Sequence, residues 1–107
     1  MTREELIEMI ATETGLSISE AEELLDIYVN SYSFTLPDIE ERFQDFSVTV
    51  FDSYEELFEY GDPLLYKQLS DKNALIYFDT EHWAQDFEAN NDCDISLING
   101  KLIETFF

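Results

Sequence analysis

The order of apolar and polar residues near the start of the chain has the period of an α-helix. Over residues 6–10 and again over residues 21–29, apolar residues recur every three or four positions, and mostly charged residues lie between them. A Ser or Thr followed three positions later by Glu forms a capping-box sequence at Thr2 and at Ser19. Gly15 between the two stripes suits the left-handed conformation that ends helices. The pattern predicts a helical hairpin in this part of the chain.

The middle of the chain combines acidic helices with one strand. Pro37 is placed for the first turn of a third helix, where proline is tolerated, and Ser53 is placed to cap a fourth. Between them, residues 47–51 alternate and are rich in β-branched residues, which predicts a strand. Pro63 then begins a short helical segment. We expect Ser70 to cap a further turn before the last helix.

The last thirty residues hold the clearest fold signal. Asp79 is a good N-cap residue, and Trp83 and Phe87 lie four positions apart on one side of the helix that follows. The pair Asn99-Gly100 then separates two strand-like runs, which is typical of a type I′ hairpin turn because both turn residues need positive φ. The earlier strand can pair with this hairpin. We predict a single α+β domain in which helices cover one face of a three-stranded antiparallel sheet.

Charge is the unusual property of this composition. The chain has 25 Asp and Glu but only 5 Lys and Arg, which gives a net charge of −20. Small soluble domains usually carry a net charge of roughly 2 to 8 in magnitude, and strong self-repulsion destabilises the folded state. Such a surplus argues against binding to nucleic acids and to anionic membranes. The 45% of hydrophobic residues argues against a disordered acidic tail.

Candidate chemistry is sparse in this sequence. His82 is the only histidine, and no Ser or Cys lies at a diagnostic spacing from it. One His and the single Cys93 cannot make a four-ligand zinc site. The residues that begin at Asp92 are spaced like the first calcium ligands of an EF-hand loop, but the glycine and the glutamate that such a loop needs are missing. We therefore expect neither an enzyme nor a bound metal or cofactor, and a lone cysteine suits a reducing cytosol.

Carboxylates recur at helical spacing on several predicted elements. Duplex DNA carries one charge per about 1.7 Å of its axis, and twenty net charges would therefore match roughly 34 Å, or about ten base pairs. Carboxylates on helix exteriors could take the place of phosphates in the Lys- and Arg-rich groove of a DNA-binding protein. The alternative is a set of solvated helix faces. The predicted partner-binding surface consists of Asp38, Glu41, Asp45, Asp52, Glu55, Glu56, Glu59, Asp62, Asp79, Glu81, Asp86 and Glu88.

Two stretches carry a likeness to a known family. Residues 36–53 place an acidic helix before a strand and a second acidic helix, and residues 77–87 read YFDTEHWAQDF before the hairpin. Over residues 34–107 the chain resembles the C-terminal part of the ArdA antirestriction family. Gln85 stands where that family usually has a basic residue. A helical hairpin over residues 1–33 takes the place of the family's N-terminal β-rich domain.

The resemblance implies a dimeric DNA mimic that occupies the DNA groove of type I restriction–modification enzymes. We therefore predict an anti-defence protein of a phage or mobile element that acts without catalysis in the host cytoplasm. Two alternatives stay open: a mimic directed at a CRISPR effector or another DNA-binding protein, and an acidic protein–protein adaptor whose contacts are apolar. A short likeness of residues 5–21 to the helical hairpin of the histone-like HU family adds an HU-binding or HU-like factor as a third.

The terminal strand suggests how a dimer could form. Residues 102–107 are mostly apolar and end in two phenylalanines for which the sequence shows no cover. An apolar strand at the edge of a sheet exposes unpaired backbone groups that can pair with another chain. We therefore expect a homodimer through the C-terminal strand region.

Overall fold

Six α-helices and three β-strands follow one another in the computed structural model, which describes all residues from Met1 to Phe107. The helices are α1 (Arg3–Thr14), α2 (Ile18–Tyr32), α3 (Leu36–Arg42), α4 (Tyr54–Gly61), α5 (Pro63–Asp71) and α6 (Thr80–Asn91). The strands are β1 (Ser47–Phe51), β2 (Asp94–Ile98) and β3 (Lys101–Phe106), and short 3₁₀ turns lie at Phe43–Asp45 and Leu75–Tyr77. None of the helices is long and apolar enough to cross a membrane.

The three strands form one antiparallel sheet in the order β1-β3-β2. The predicted α+β class with an N-terminal helical hairpin and a three-stranded antiparallel sheet is confirmed. Four consecutive residues of β3, from Leu102 to Thr105, are buried, and both faces of this strand are therefore covered.

The expectation that the C-terminal strand lies at a sheet edge is wrong. Since β1 and β2 flank β3, its backbone groups are engaged on both sides, and β1 and β2 are the edge strands. An exposed edge of β3 is therefore no longer a reason to expect a homodimer through the C-terminal strand region. The homodimer itself stays a prediction.

The chain divides into two compact units. The N-terminal unit comprises residues 1–49 together with residues 105–107, and the C-terminal unit comprises residues 50–104. The single-domain prediction, with a division between residues 33 and 34 that rests on the family resemblance, stays a prediction.

The core of the N-terminal unit is built around Tyr28. This α2 residue is fully buried, and its hydroxyl lies 2.9 Å from the buried Thr105 hydroxyl. The rings of Phe46 and Phe107 meet the Tyr28 ring edge-on, with centroids 5.8 and 5.7 Å away. Phe107 thus packs on aromatic neighbours with part of its ring, while 43% of the residue stays exposed.

Capping side chains set most helix starts. The Thr2–Glu5 capping box of α1 and the left-handed Gly15 that ends it are as predicted. The predicted start of α2 after Ser19 is wrong, because Ser17 and Glu20 form the box instead. This earlier register buries Leu16 just before the cap and Ala21 at the fourth helical position, which are the two positions of a hydrophobic staple.

The core of the C-terminal unit joins α4, α6 and the sheet residues of that unit. Phe51, Leu57, Ala84 and Leu102 form its buried cluster, against which Trp83 packs. The Trp83 ring stacks on Phe87 at 5.0 Å, which confirms that these two residues share a helix face.

Of two turns predicted in the C-terminal unit, one is confirmed and the other is wrong. Asn99 and Gly100 have φ of 52° and 78°, as a type I′ turn requires. Ser70 does not cap a new turn, because α5 continues to Asp71 and only the 3₁₀ turn follows.

Candidate partner-binding surface

Nine of the twelve predicted surface carboxylates are exposed, and three are half-buried. The half-buried ones take part in the fold. Asp38 accepts the backbone N–H of Thr35 in a capping box, and Asp62 caps α5 by accepting the N–H of Leu65 at 3.3 Å. Glu88 accepts the N–H of Ile95 at the start of β2. These three residues therefore act first as structural groups.

Two of the exposed carboxylates also bind backbone groups. Asp79 accepts the N–H of His82 at 2.9 Å, which makes it the predicted N-cap of α6. Ser53 caps α4 as predicted by accepting the backbone N–H of Glu56 at 3.1 Å, and the Glu56 carboxylate accepts the N–H of Asp52 at 2.9 Å. A carboxylate has about four acceptor sites, and both groups can still receive hydrogen bonds from a partner.

The acidic stripe predicted on the third helix is interrupted. Because α3 ends at Arg42, Asp45 belongs to the following 3₁₀ turn and does not continue the helical row of Asp38 and Glu41. The Arg42 guanidinium lies over the Phe34 ring, 5.1 Å from its centroid, a cation–π contact. The pKa of Asp38 is lowered first by its hydrogen bonds from Thr35 and further by the Arg42 charge. A positive charge therefore lies within this acidic stripe.

The outer face of α4 carries the densest exposed charge of the predicted surface. Glu55, Glu56 and Glu59 are all exposed, while Leu57 and Phe58 are buried. The Tyr66 hydroxyl donates to Glu55 at 3.3 Å. Its pKa is raised first by desolvation and then by the charges of Glu59 and Glu55. The carboxylates of Glu59 and Glu55 thus disfavour a negative charge on Tyr66.

The start of α6 extends the negative potential of the C-terminal unit. Exposed Glu81 adds to the burial that raises the pKa of Tyr54. Directly after Glu81, the His82 imidazole Nε2 lies 3.4 Å from the Asp86 carboxylate, and both side chains are exposed. This pair is an ordinary helix-surface contact four residues apart.

Cys93 carries the only thiol of the chain, and this residue is half-buried. Burial raises the pKa of Cys93 to about 11, with further contributions from Glu104, Glu88 and Asp94. Its thiol is therefore protonated at neutral pH and is a poor nucleophile. No group of three or more His, Cys, Asp or Glu side chains is placed to hold a metal ion.

Four residues are buried or exposed in the opposite sense to what their side-chain type predicts. Glu20 and Glu104 are buried, although glutamate side chains are mostly exposed in folded proteins. Ile76 and Tyr77 are exposed, although apolar residues in a predicted helical turn would face inward. A signal existed for Glu104, because the period of two in a strand places it on the same face as Leu102.

Comparisons of this chain with protein-family models, with curated proteins and with solved structures find no match. The likeness to the ArdA family therefore rests on the sequence stretches themselves.

Proposed function

We propose that this protein is a DNA mimic that occupies the positively charged DNA-binding groove of a type I restriction–modification enzyme. It would act as an anti-defence protein in the cytoplasm of a host cell. The observation that carries the proposal is the exposure of the carboxylates on α4 and on the start of α6. With five basic side chains against 25 acids, most of these charges have no cation within the chain to neutralise them.

The spacing of the carboxylates supports imitation of a phosphate row. Glu55 and Glu59 are one helical turn apart, which is a rise of about 6 Å along the axis. Two successive steps of one DNA strand rise about 6.8 Å. The rise from Glu55 to Glu59 thus matches the rise between every second phosphate of one strand, and Lys and Arg side chains that bind such phosphates could reach these two carboxylates.

The mechanism of such an inhibitor is binding alone. It competes with DNA for the groove, and charge complementarity between the two proteins speeds their association. Because exposed charges are screened within about 8 Å at physiological ionic strength, the affinity should fall steeply with added salt.

The test is inhibition of DNA cleavage by a purified type I restriction–modification enzyme at several salt concentrations. We expect inhibition at low salt that weakens strongly as salt is added. A variant with Glu55→Gln, Glu59→Gln and Glu81→Gln should inhibit at least tenfold less. Inhibition that is the same at low and high salt would refute mimicry.

A matched control separates the location of the charge from its amount. Glu4, Glu8 and Glu23 are exposed on α1 and α2, outside the predicted surface. Changing these three residues to Gln removes the same number of charges from the whole chain. This control variant should retain more inhibition than the α4 and α6 variant.

A mimic of the same design could instead inhibit a CRISPR effector or another DNA-binding protein. Replacing the restriction enzyme by such a protein in the same salt series tests that alternative. The exposed Ile76 and Tyr77 favour the second alternative, an adaptor with apolar contacts. An adaptor of that kind would lose binding when these two side chains are shortened and would tolerate loss of the α4 carboxylates.

A further inference from the structure

Ile76 and Tyr77 are the most exposed of the large hydrophobic side chains. They are 83% and 84% exposed, and they lie side by side in the 3₁₀ turn Leu75–Tyr77 of the C-terminal unit. Single exposed apolar residues are common on protein surfaces. Two adjacent ones at this exposure, one of them a tyrosine, form the type of small patch that is enriched at binding sites.

The turn that carries this pair is held in place on both sides. Phe78, the residue after the turn, stacks on Phe58 with ring centroids 4.6 Å apart. The backbone N–H groups of Tyr77 and Phe78 each donate at 3.1 Å, to Ala74 and Leu75. The backbone that displays the pair is therefore held in place, and a partner that binds the pair would lose little entropy in ordering the turn.

Ile76 lines two grooves. One groove is lined by Glu55, Leu75, Ile76, Phe78 and Thr80, and the other by Ser70, Asn73, Leu75 and Ile76. Glu55 thus brings a carboxylate into the first groove, next to apolar side chains. Because Glu55 belongs to α4, the acidic side of the patch is the side of α4.

We infer that Ile76 and Tyr77 anchor a cationic amphipathic segment of a partner protein. Such a segment places apolar side chains in the two grooves and a Lys or Arg on Glu55. The inference rests on the proposed function for its choice of a basic partner, and it adds a contact that salt does not screen. A second copy of this chain is a poor occupant of this patch, because a chain with 5 Lys and Arg against 25 Asp and Glu has few cations to offer Glu55.

Two synthetic helical peptides test the inference without knowledge of the natural partner. Both peptides carry the same number of lysines at the same positions on one helix face. The opposite face carries leucines in the Lys/Leu peptide and serines in the Lys/Ser peptide. We expect the full-length protein to bind the Lys/Leu peptide about tenfold more tightly than the Lys/Ser peptide, since burying one large aliphatic side chain contributes about this factor. Fluorescence anisotropy of labelled peptides measures both affinities at low and high salt.

Variants assign the preference to the patch. Ile76→Ser combined with Tyr77→Ser should remove the preference for the Lys/Leu peptide. Leu97→Ser, which shortens another exposed aliphatic side chain on β2, should keep it. Equal binding of the two peptides, or an unchanged preference in the double variant, would overturn the inference. Self-association that is abolished by the double variant would also overturn it, because the occupant would then be a second copy.

The cleavage assay keeps this inference distinct from the proposed function. A preference for the Lys/Leu peptide without inhibition of the restriction enzyme supports the anchor and removes that enzyme as the target. Inhibition without any preference removes the anchor and leaves mimicry standing.

Discussion

Two buried glutamates differ in hydrogen bonding, and this difference gives a sharp test of the structure. Glu104 in β3 is 2% exposed, and its carboxylate oxygen Oε2 is buried without a hydrogen-bond partner. Glu20 in α2 is 5% exposed, and its Oε1 accepts the N–H of Ser17 at 2.9 Å. Replacing each by methionine keeps a similar side-chain length and removes the charge.

The two substitutions should change the free energy of unfolding in opposite directions at pH 7. A buried polar group without a partner costs about 1–3 kcal/mol, and an apolar side chain of similar shape avoids this cost. Glu104→Met should therefore stabilise the protein by about 1–3 kcal/mol. Glu20→Met removes one half of a capping box and should destabilise it by about 1 kcal/mol.

The effect of Glu104→Met should depend on pH. Burial raises the pKa of Glu104 above its ordinary value of 4.5. Below that value the carboxyl is neutral in both states, and its contribution to stability is fully present. As the pH rises, the unfolded chain ionises first, and this contribution is lost through the raised pKa of the folded state. The gain from Glu104→Met should thus be small near pH 4 and largest at neutral pH.

Urea unfolding followed by circular dichroism between pH 4 and pH 8 measures these differences. Each substitution removes one negative charge, and the relief of general repulsion is therefore common to both variants. If Glu104→Met destabilises the protein as much as Glu20→Met does, or if its effect is the same at every pH, the reasoning about the unpaired oxygen is refuted.

The remaining predictions concern two glycines and the single cysteine. Gly61→Ala should destabilise the protein by about 1–3 kcal/mol in the same assay, because the added Cβ would lie 2.9 Å from Cζ2 of Trp83. Gly15→Ala has open space but a φ of 77°, and a cost of about 1–2 kcal/mol there serves as a comparison for backbone strain alone. Cys93, with its pKa raised to about 11, should react with iodoacetamide at pH 8 far more slowly in the folded protein than in urea. Equal rates in the two states would contradict its burial.

Much of the local structure could be predicted because it depends on neighbouring residues. The Thr2 cap, the strand over residues 47–51 and the Asn99-Gly100 turn each involve side chains and φ angles within a few positions. The start of α2 could not be decided in this way, since Ser17 and Ser19 both stand three positions before a glutamate. Burial of the flanking Leu16 selects the first of them.

Tertiary contacts account for what the sequence did not predict. The order β1-β3-β2 depends on pairing between strands about fifty residues apart, on which local patterns carry no information. Ile76 and Tyr77 are exposed because Phe78, and neither of these two residues, packs on Phe58. The exposed α4 carboxylates could be predicted, because the helical period that buries Leu57 turns them outward.

The central place of β3 has a consequence for synthesis of the chain. Since β1 pairs with β3 and not with β2, it has no sheet partner until about fifty further residues have been made. At translation rates of about 5–20 residues per second, a β-branched and apolar segment stays unpaired for about 3–10 seconds. Asp45 and Asp52 lie on either side of it, where charged residues oppose aggregation of such segments. A low yield of soluble protein after substitution of these two residues would therefore report on nascent-chain aggregation and not on partner binding.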